Sequence, residues 1–163
     1  TPDDAFALIG AFASADELPG VKAVLLEGGA AFCAGASGEM PVELATVRSR
    51  LTKPLVAGVQ GAVLGVGVGL LASAHVVVAA QGTSFGLTEV REAGWPLAFD
   101  TIAEAIGRRR AAELAMTGRI FSTPEALQMG LIHEVAPAFE FDDRAEALAL
   151  HLSRLDFRGR LPL

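Results

Sequence analysis

Residues 53–80 read KPLVAGVQGAVLGVGVGLLASAHVVVAA, and how this stretch is parsed determines the architecture. Pro54 introduces the apolar run LVAGV at Leu55–Val59, and a second apolar run follows from His75 to Ala80. Between them, Gly61 to Ala74 reads as a glycine-punctuated helix candidate. Strands that are apolar throughout are covered on both faces, and a helix between two of them predicts a largely parallel sheet. A membrane span is the competing parse: Ala62 to Ala80 carries no fixed charge, and Gly65 and Gly69 form a small-xxx-small pair. His75 interrupts that stretch, and the β-branched run Val76-Val77-Val78 follows it. A helix followed by a buried strand accounts for both halves.

Outward from this centre, Val21 to Leu26 (VKAVLL) reads as another buried strand, ended by Gly28-Gly29. The small-residue loop AAFCAGASGEM, Ala30 to Met40, comes next, with a short helix over 42–51. Upstream, Phe6, Ile9 and Phe12 recur at helical spacing within Asp3 to Glu17. The back half reads as helical: 100–106, 109–116 ending at Gly118, and a segment opened by Ser122-Thr123-Pro124-Glu125 and stopped by Gly130. Leu131 to Val135 reads as a short strand, and 143–155 as an amphipathic helix with Ala145, Leu148, Ala149, Leu152 and Leu155 on one stripe.

The 163 residues amount to one domain, and 52% hydrophobic with 20% charged residues describe a folded chain. A net charge of −6 argues against a general nucleic-acid binder. One cysteine, Cys33, excludes an internal disulfide, and the three histidines lie far apart with no metal-ligand spacing. No signal peptide is read, so a cytoplasmic location is the expectation.

Three segments could carry chemistry. FCAGAS, Phe32 to Ser37, would let a ligand approach free main-chain N–H groups, or would be a tight turn. GAVLGVGVG, Gly61 to Gly69, would place the N-terminus of a helix where negative charge develops, or would pack closely; a relaxed dinucleotide fingerprint at Gly67, Gly69 and Ala72 is a third option. SFGLTEVR, Ser84 to Arg91, carries Glu89, an acid or a surface charge.

Taken in order, VKAVLLEGGAAFCAGAS, KPLVAGVQGAVLGVGVGLLASAHVVVAA, TSFGLTEV and GRIFSTPEALQMGLIHEV resemble the enoyl-CoA hydratase/isomerase, or crotonase, superfamily over roughly 21–137. The resemblance implies an α/β fold of the ClpP/crotonase type, a spiral of β-β-α units with surrounding helices. It implies a crotonase-like core over 1–137, with opening strands and part of the 37–53 loop missing, and a C-terminal helical segment over 138–163. It implies an acyl-CoA substrate, no cofactor beyond the coenzyme A of that substrate, and a homotrimer or hexamer; no metal, no nucleic acid and no membrane is the expectation from ligand spacing, net charge and the parse of residues 62–80.

By the same resemblance, the thioester carbonyl sits between the N–H groups of Ala34 and Val66. Gly35, Ala36 and Ser37 line the coenzyme path, Gly65 and Gly67 flank the second donor, and Trp95 and Pro96 shape the acyl pocket. The hydratases of the family carry two glutamates; the first position falls on Gly69 and the second on Glu89. One carboxylate suits double-bond isomerisation, with hydration or a catalytically idle thioester binder as alternatives. Glu39, Glu92 and Asp100 are spare acids.

Overall fold

The computed structural model describes residues 1–36, 38–157 and 161. Its strands are β1 (Val24–Glu27), β2 (Cys33–Ala34), β3 (Leu55–Val59), β4 (Ala62–Leu64), β5 (Val76–Ala80), β6 (Ser84–Gly86), β7 (Ile120–Ser122) and β8 (Glu134–Ala136). Its helices are α1 (Pro2–Glu17), α2 (Val47–Arg50), α3 (Val66–Ser73), α4 (Phe99–Ile106), α5 (Arg108–Thr117), α6 (Thr123–Met129) and α7 (Phe141–Ser153), with 3-10 turns at Val42–Thr46 and Glu89–Glu92.

Three successive strand pairs generate two sheets. The first members, β1, β3 and β5, join β8 in the order β1-β3-β5-β8; the second members, β2, β4 and β6, join β7 in the order β2-β4-β6-β7. Every pairing is parallel except β6 with β7. A helix or turn follows each pair, which is the expected spiral of β-β-α units.

The apolar runs explain the first sheet. All five residues of β3 are buried, because the main core covers one face and α7 the other. Ala145 of α7 sits 3.1 Å from the point a Cβ on Gly58 would occupy, so a glycine in β3 admits the helix. In the second sheet Phe85 and Phe121 face each other across β6 and β7 with ring centroids 5.5 Å apart, both almost fully buried. Such a pair contributes about 0.5–1.5 kcal/mol beyond its buried area, and it anchors the strand that leads to Glu89.

Several sequence expectations need correction. Gly61 to Ala74 is not one helix: β4 occupies Ala62–Leu64, and α3 starts only at Val66. Gly65 makes the break with φ 55°, a conformation that costs a residue with a Cβ roughly 1–2 kcal/mol. The same division removes the membrane span, and no helix among the described residues is long and apolar enough to cross a membrane. The helix expected over 42–51 is a 3-10 turn followed by the single turn α2.

The strands expected at 21–26 and 131–135 lie instead at Val24–Glu27 and Glu134–Ala136. Phe6 is 60% exposed, so the buried stripe of α1 runs through Ala5 and Phe12. The helix start at Ser122 forms as read: its hydroxyl accepts from the Glu125 N–H, Glu125 reaches back to the Ser122 N–H, and Gly130 closes α6 in the left-handed region.

Candidate active site

The parallel register brings the three candidate segments to one edge. Ala34 is level with Leu64, and Leu64 with Gly86. The loops that leave β2, β4 and β6 therefore emerge side by side at the carboxyl ends of parallel strands, where open α/β sheets commonly bind ligands. They surround a cavity of about 750 Å³. Ala34, Gly35 and Ala36 line it from the first loop, Gly65 and Val66 from the second, and Glu89 and Trp95 from the third.

The main chain of the second loop is set up as a donor. The Gly65 N–H is committed to the Gly86 carbonyl at 2.8 Å, and the Val68 N–H turns back to the Gly65 carbonyl. Val66 is the first residue of α3, so its N–H has no intrahelical acceptor and belongs to the positive end of the helix dipole. Gly35 holds φ 119°, which lets the β2 loop turn away beside it.

Glu89 lies in the first 3-10 residue after Thr88, opposite that helix end. Its carboxyl carbon and Oε1 are each 3.6 Å from the point a Cβ on Gly65 would occupy. Oε2 is buried and accepts no hydrogen bond from the described residues. Desolvation by burial pushes the Glu89 carboxyl above the ordinary glutamate range, partly opposed by its own main-chain N–H. A carboxyl in this condition can hold or release a proton closer to neutrality than a surface glutamate.

Position 69 holds no acid and has no room for one. A Cβ there would stand 2.6 Å from Ala98 Cβ. Ala98, at the N-terminus of α4, fills the space through which a side chain at position 69 would have to pass. Gly67 is equally tight, with a Cβ meeting Cys33 Cβ at 2.5 Å.

Gly67 therefore packs α3 onto β2 and does not border the cavity. Pro96 is buried outside it, accepting the Phe99 N–H through its carbonyl. Trp95 borders it and packs on Phe99 with centroids 5.1 Å apart. Ser37 lies outside the described residues. Of the spare acids, Glu39 and Glu92 line the cavity, whereas Asp100 is exposed and pairs with Arg108 at 2.9 Å.

Sequence reasoning missed Met40, Val42, Thr88 and Leu97, which also line the cavity. Thr88 and Leu97 flank residues that were picked out, so the signal was adjacency; nothing in the sequence marks Ala98. Gly67, Gly69 and Ala72 lie inside α3 and not in a strand-to-helix turn, which disposes of the dinucleotide fingerprint. Among the described residues, no group of three His, Cys, Asp or Glu side chains is placed to hold a metal ion.

Three aligned loops, a free helix N-terminus and one desolvated carboxyl are the features to compare with known proteins. A family model described as Enoyl-CoA hydratase/isomerase matches residues 4–156. The chain belongs to that family.

This enoyl-CoA hydratase/isomerase family member is 31% identical over 157 residues to the mevalonyl-coenzyme A hydratase of Aspergillus fumigatus, with 85% of the chain and 58% of the relative covered. It is 32% identical over 127 residues to an enoyl-CoA hydratase of Mycobacterium tuberculosis, covering 77% of the chain and 46% of the relative. Its fold superposes on an enoyl-CoA hydratase structure from Mycobacterium smegmatis with a TM-score of 0.80 at 26% identity, over 91% of this chain and 65% of that one. Another solved family member gives a TM-score of 0.85 at 27% identity, with 95% and 67% covered. The chain thus spans about half the length of the two curated relatives named.

Proposed function

We propose that the cavity binds the acyl end of a coenzyme A thioester and that Glu89 moves a double bond along it. The carrying observation is that Glu89 stands half-buried in the cleft with its Oε2 buried and accepting no hydrogen bond from a neighbouring residue, while Ala98 closes position 69. In this reading the ionised Glu89 takes a proton from C2 of a 3-enoyl thioester. The electron pair moves into a dienolate whose negative charge collects on the thioester oxygen. The N–H groups of Ala34 and Val66 receive that oxygen, stabilising it more in the transition state than in the ground state. The protonated carboxyl then returns the proton to C4, giving the 2-enoyl thioester. The step needs no cofactor beyond the coenzyme A that the substrate carries, and the thioester bond stays intact throughout.

Gly35, Ala36 and Gly65 let the thioester approach the main chain, and Trp95 bounds the acyl side. Each aimed amide is worth on the order of 3 kcal/mol. Hydration is the second reading, favoured by the names of both curated relatives. It asks Glu89 both to activate water and to protonate the enolate, or to share that work with Glu92 of its own turn or Glu39 of the first loop, which also line the cavity. The reading carries with it a homotrimer or a pair of trimers, and exposed apolar side chains such as Met116 and Phe139 are available for such contacts; analytical ultracentrifugation tests it.

The decisive assay offers 3-enoyl and 2-enoyl thioesters of several chain lengths. Isomerisation is expected to exceed hydration, and Glu89→Gln to remove turnover by about 10²–10⁴-fold while thioester binding persists. Hydration exceeding isomerisation would transfer the assignment to the second reading. Binding without turnover on any ester would make the chain an idle thioester binder.

A further inference from the structure

Glu89 is aimed by its backbone. Oε2 makes no hydrogen bond to a neighbour that could steer the carboxyl, and Glu89 sits in a 3-10 turn of four residues, intrinsically a weak element. Something outside the turn must hold it. The Arg91 guanidinium donates from Nη2 to the Gly118 carbonyl at 2.6 Å, in a half-buried bond spanning 27 residues. On the same seam, Val90 Cγ1 reaches to within 2.7 Å of where a Cβ on Gly118 would stand, and Gly118 has φ 58°. The turn is therefore keyed into the corner between α5 and β7, a corner that borders no part of the cleft.

We infer that Arg91 is a positioning residue for Glu89, setting where the carboxyl stands by tying the 89–92 turn to Gly118. This rests on the reading of Glu89 as the proton carrier. The strained residue that follows agrees with it: Ala93 adopts φ 57°, a left-handed conformation unusual outside glycine, and its N–H closes on Val90. A turn that keeps such strain is held by its surroundings. Without the Arg91 tether the turn relaxes, the carboxyl moves off the reacting carbon and water reaches it. Misplacement by about 1 Å can cost on the order of a hundredfold in rate.

The experiment compares wild type, Arg91→Ala and Arg91→Lys in the full chain by steady-state kinetics. It adds a carbon-13 NMR titration of the Glu89 carboxyl, assigned with Glu89→Gln. Arg91→Ala is expected to lower kcat about 10- to 100-fold with KM changed less than about twofold, and added guanidinium to restore part of the loss. Arg91→Lys, which keeps the charge but not the planar fork, is expected to fall between.

The titration carries an opposed sign. Loss of a nearby cation alone would raise the Glu89 midpoint, whereas loosening and solvation lower it toward the ordinary glutamate range. Glu39 and Glu92 also border the cavity and are unchanged in these variants. An unchanged kcat, or a fall in kcat with an unmoved or raised Glu89 midpoint, overturns the inference. Should wild type turn over no enoyl ester, the functional reading fails, and the titration still decides whether Arg91 places the carboxyl. Arg91→Lys decides it if Arg91→Ala does not fold.

Discussion

The closure of position 69 by Ala98 yields a quantitative prediction. Gly69→Ala places a methyl 2.6 Å from Ala98 Cβ, well inside ordinary contact distance. Neither methyl can rotate away, since alanine has no side-chain rotamers, so α3 and the start of α4 must separate. Overpacking of this kind costs about 1–3 kcal/mol. Against it, alanine inside a helix is about 1 kcal/mol better than glycine. The single variant should thus lie between neutral and about 2 kcal/mol destabilised.

Removing the opposing methyl with Ala98→Gly leaves only the helix term, and there Gly69→Ala should stabilise by about 1 kcal/mol. The coupling between the two sites is then about 1–3 kcal/mol. It is measured by urea denaturation of the four proteins of the double-mutant cycle. A coupling below about 0.5 kcal/mol, the usual error of additivity for independent sites, would refute the claim that Ala98 occludes position 69. The reason given for the absence of an acid at position 69 would fall with it.

Further outcomes follow from the same geometry. Val66→Pro removes one proposed oxyanion donor at the first helical position, where proline is well tolerated, so kcat should fall about a hundredfold or more with the fold intact; wild-type turnover in that variant rejects the second amide. Burial raises the Glu89 carboxyl, so the native state holds that proton more tightly than the unfolded chain. Stability is therefore lost as pH rises through the raised midpoint, and Glu89→Gln should melt higher than wild type near pH 7; a lower melting temperature refutes the desolvation.

The imidazoles make the opposite prediction. His75 and His133 accept the Leu55 and Val77 main-chain N–H groups at Nδ1, each at 3.0 Å, and desolvation lowers both rings. Their contribution is present above the ordinary histidine value and is lost as pH falls below about 6.5. His75→Asn, which can still accept the N–H, should flatten the urea-derived stability slope between pH 7 and 5.5; an unaltered slope contradicts that.

Much of the first sheet was legible because β3 and the Val76–Ala80 strand are apolar at every position, a pattern only a doubly covered strand needs. The second sheet was not. Strands such as β4, β6 and β7 have three residues each, too few for a period of two to register, and the helix-breaking role of Gly65 depends on a backbone angle that composition does not reveal. For the site, the order of segments pointed to Ala34, Val66 and Glu89, whose loops the register gathers.

What escaped were relations across the fold. A glutamate in sequence reads as a surface charge, and its burial exists only once β6 and α3 are packed. The contact of Ala98 with position 69 joins residues on different helices. Gly67 looked like part of a donor loop, yet its missing side chain serves the approach of Cys33.

Proton exchange reaches the heart of the account without depending on which product forms. A saturated acyl thioester incubated in deuterium oxide with the protein and followed by proton NMR reports abstraction at C2 alone. The account predicts exchange with wild type and a loss of about 10²–10⁴-fold in Glu89→Gln that still binds the ester. Exchange at the wild-type rate in that variant would mean that another group moves the proton.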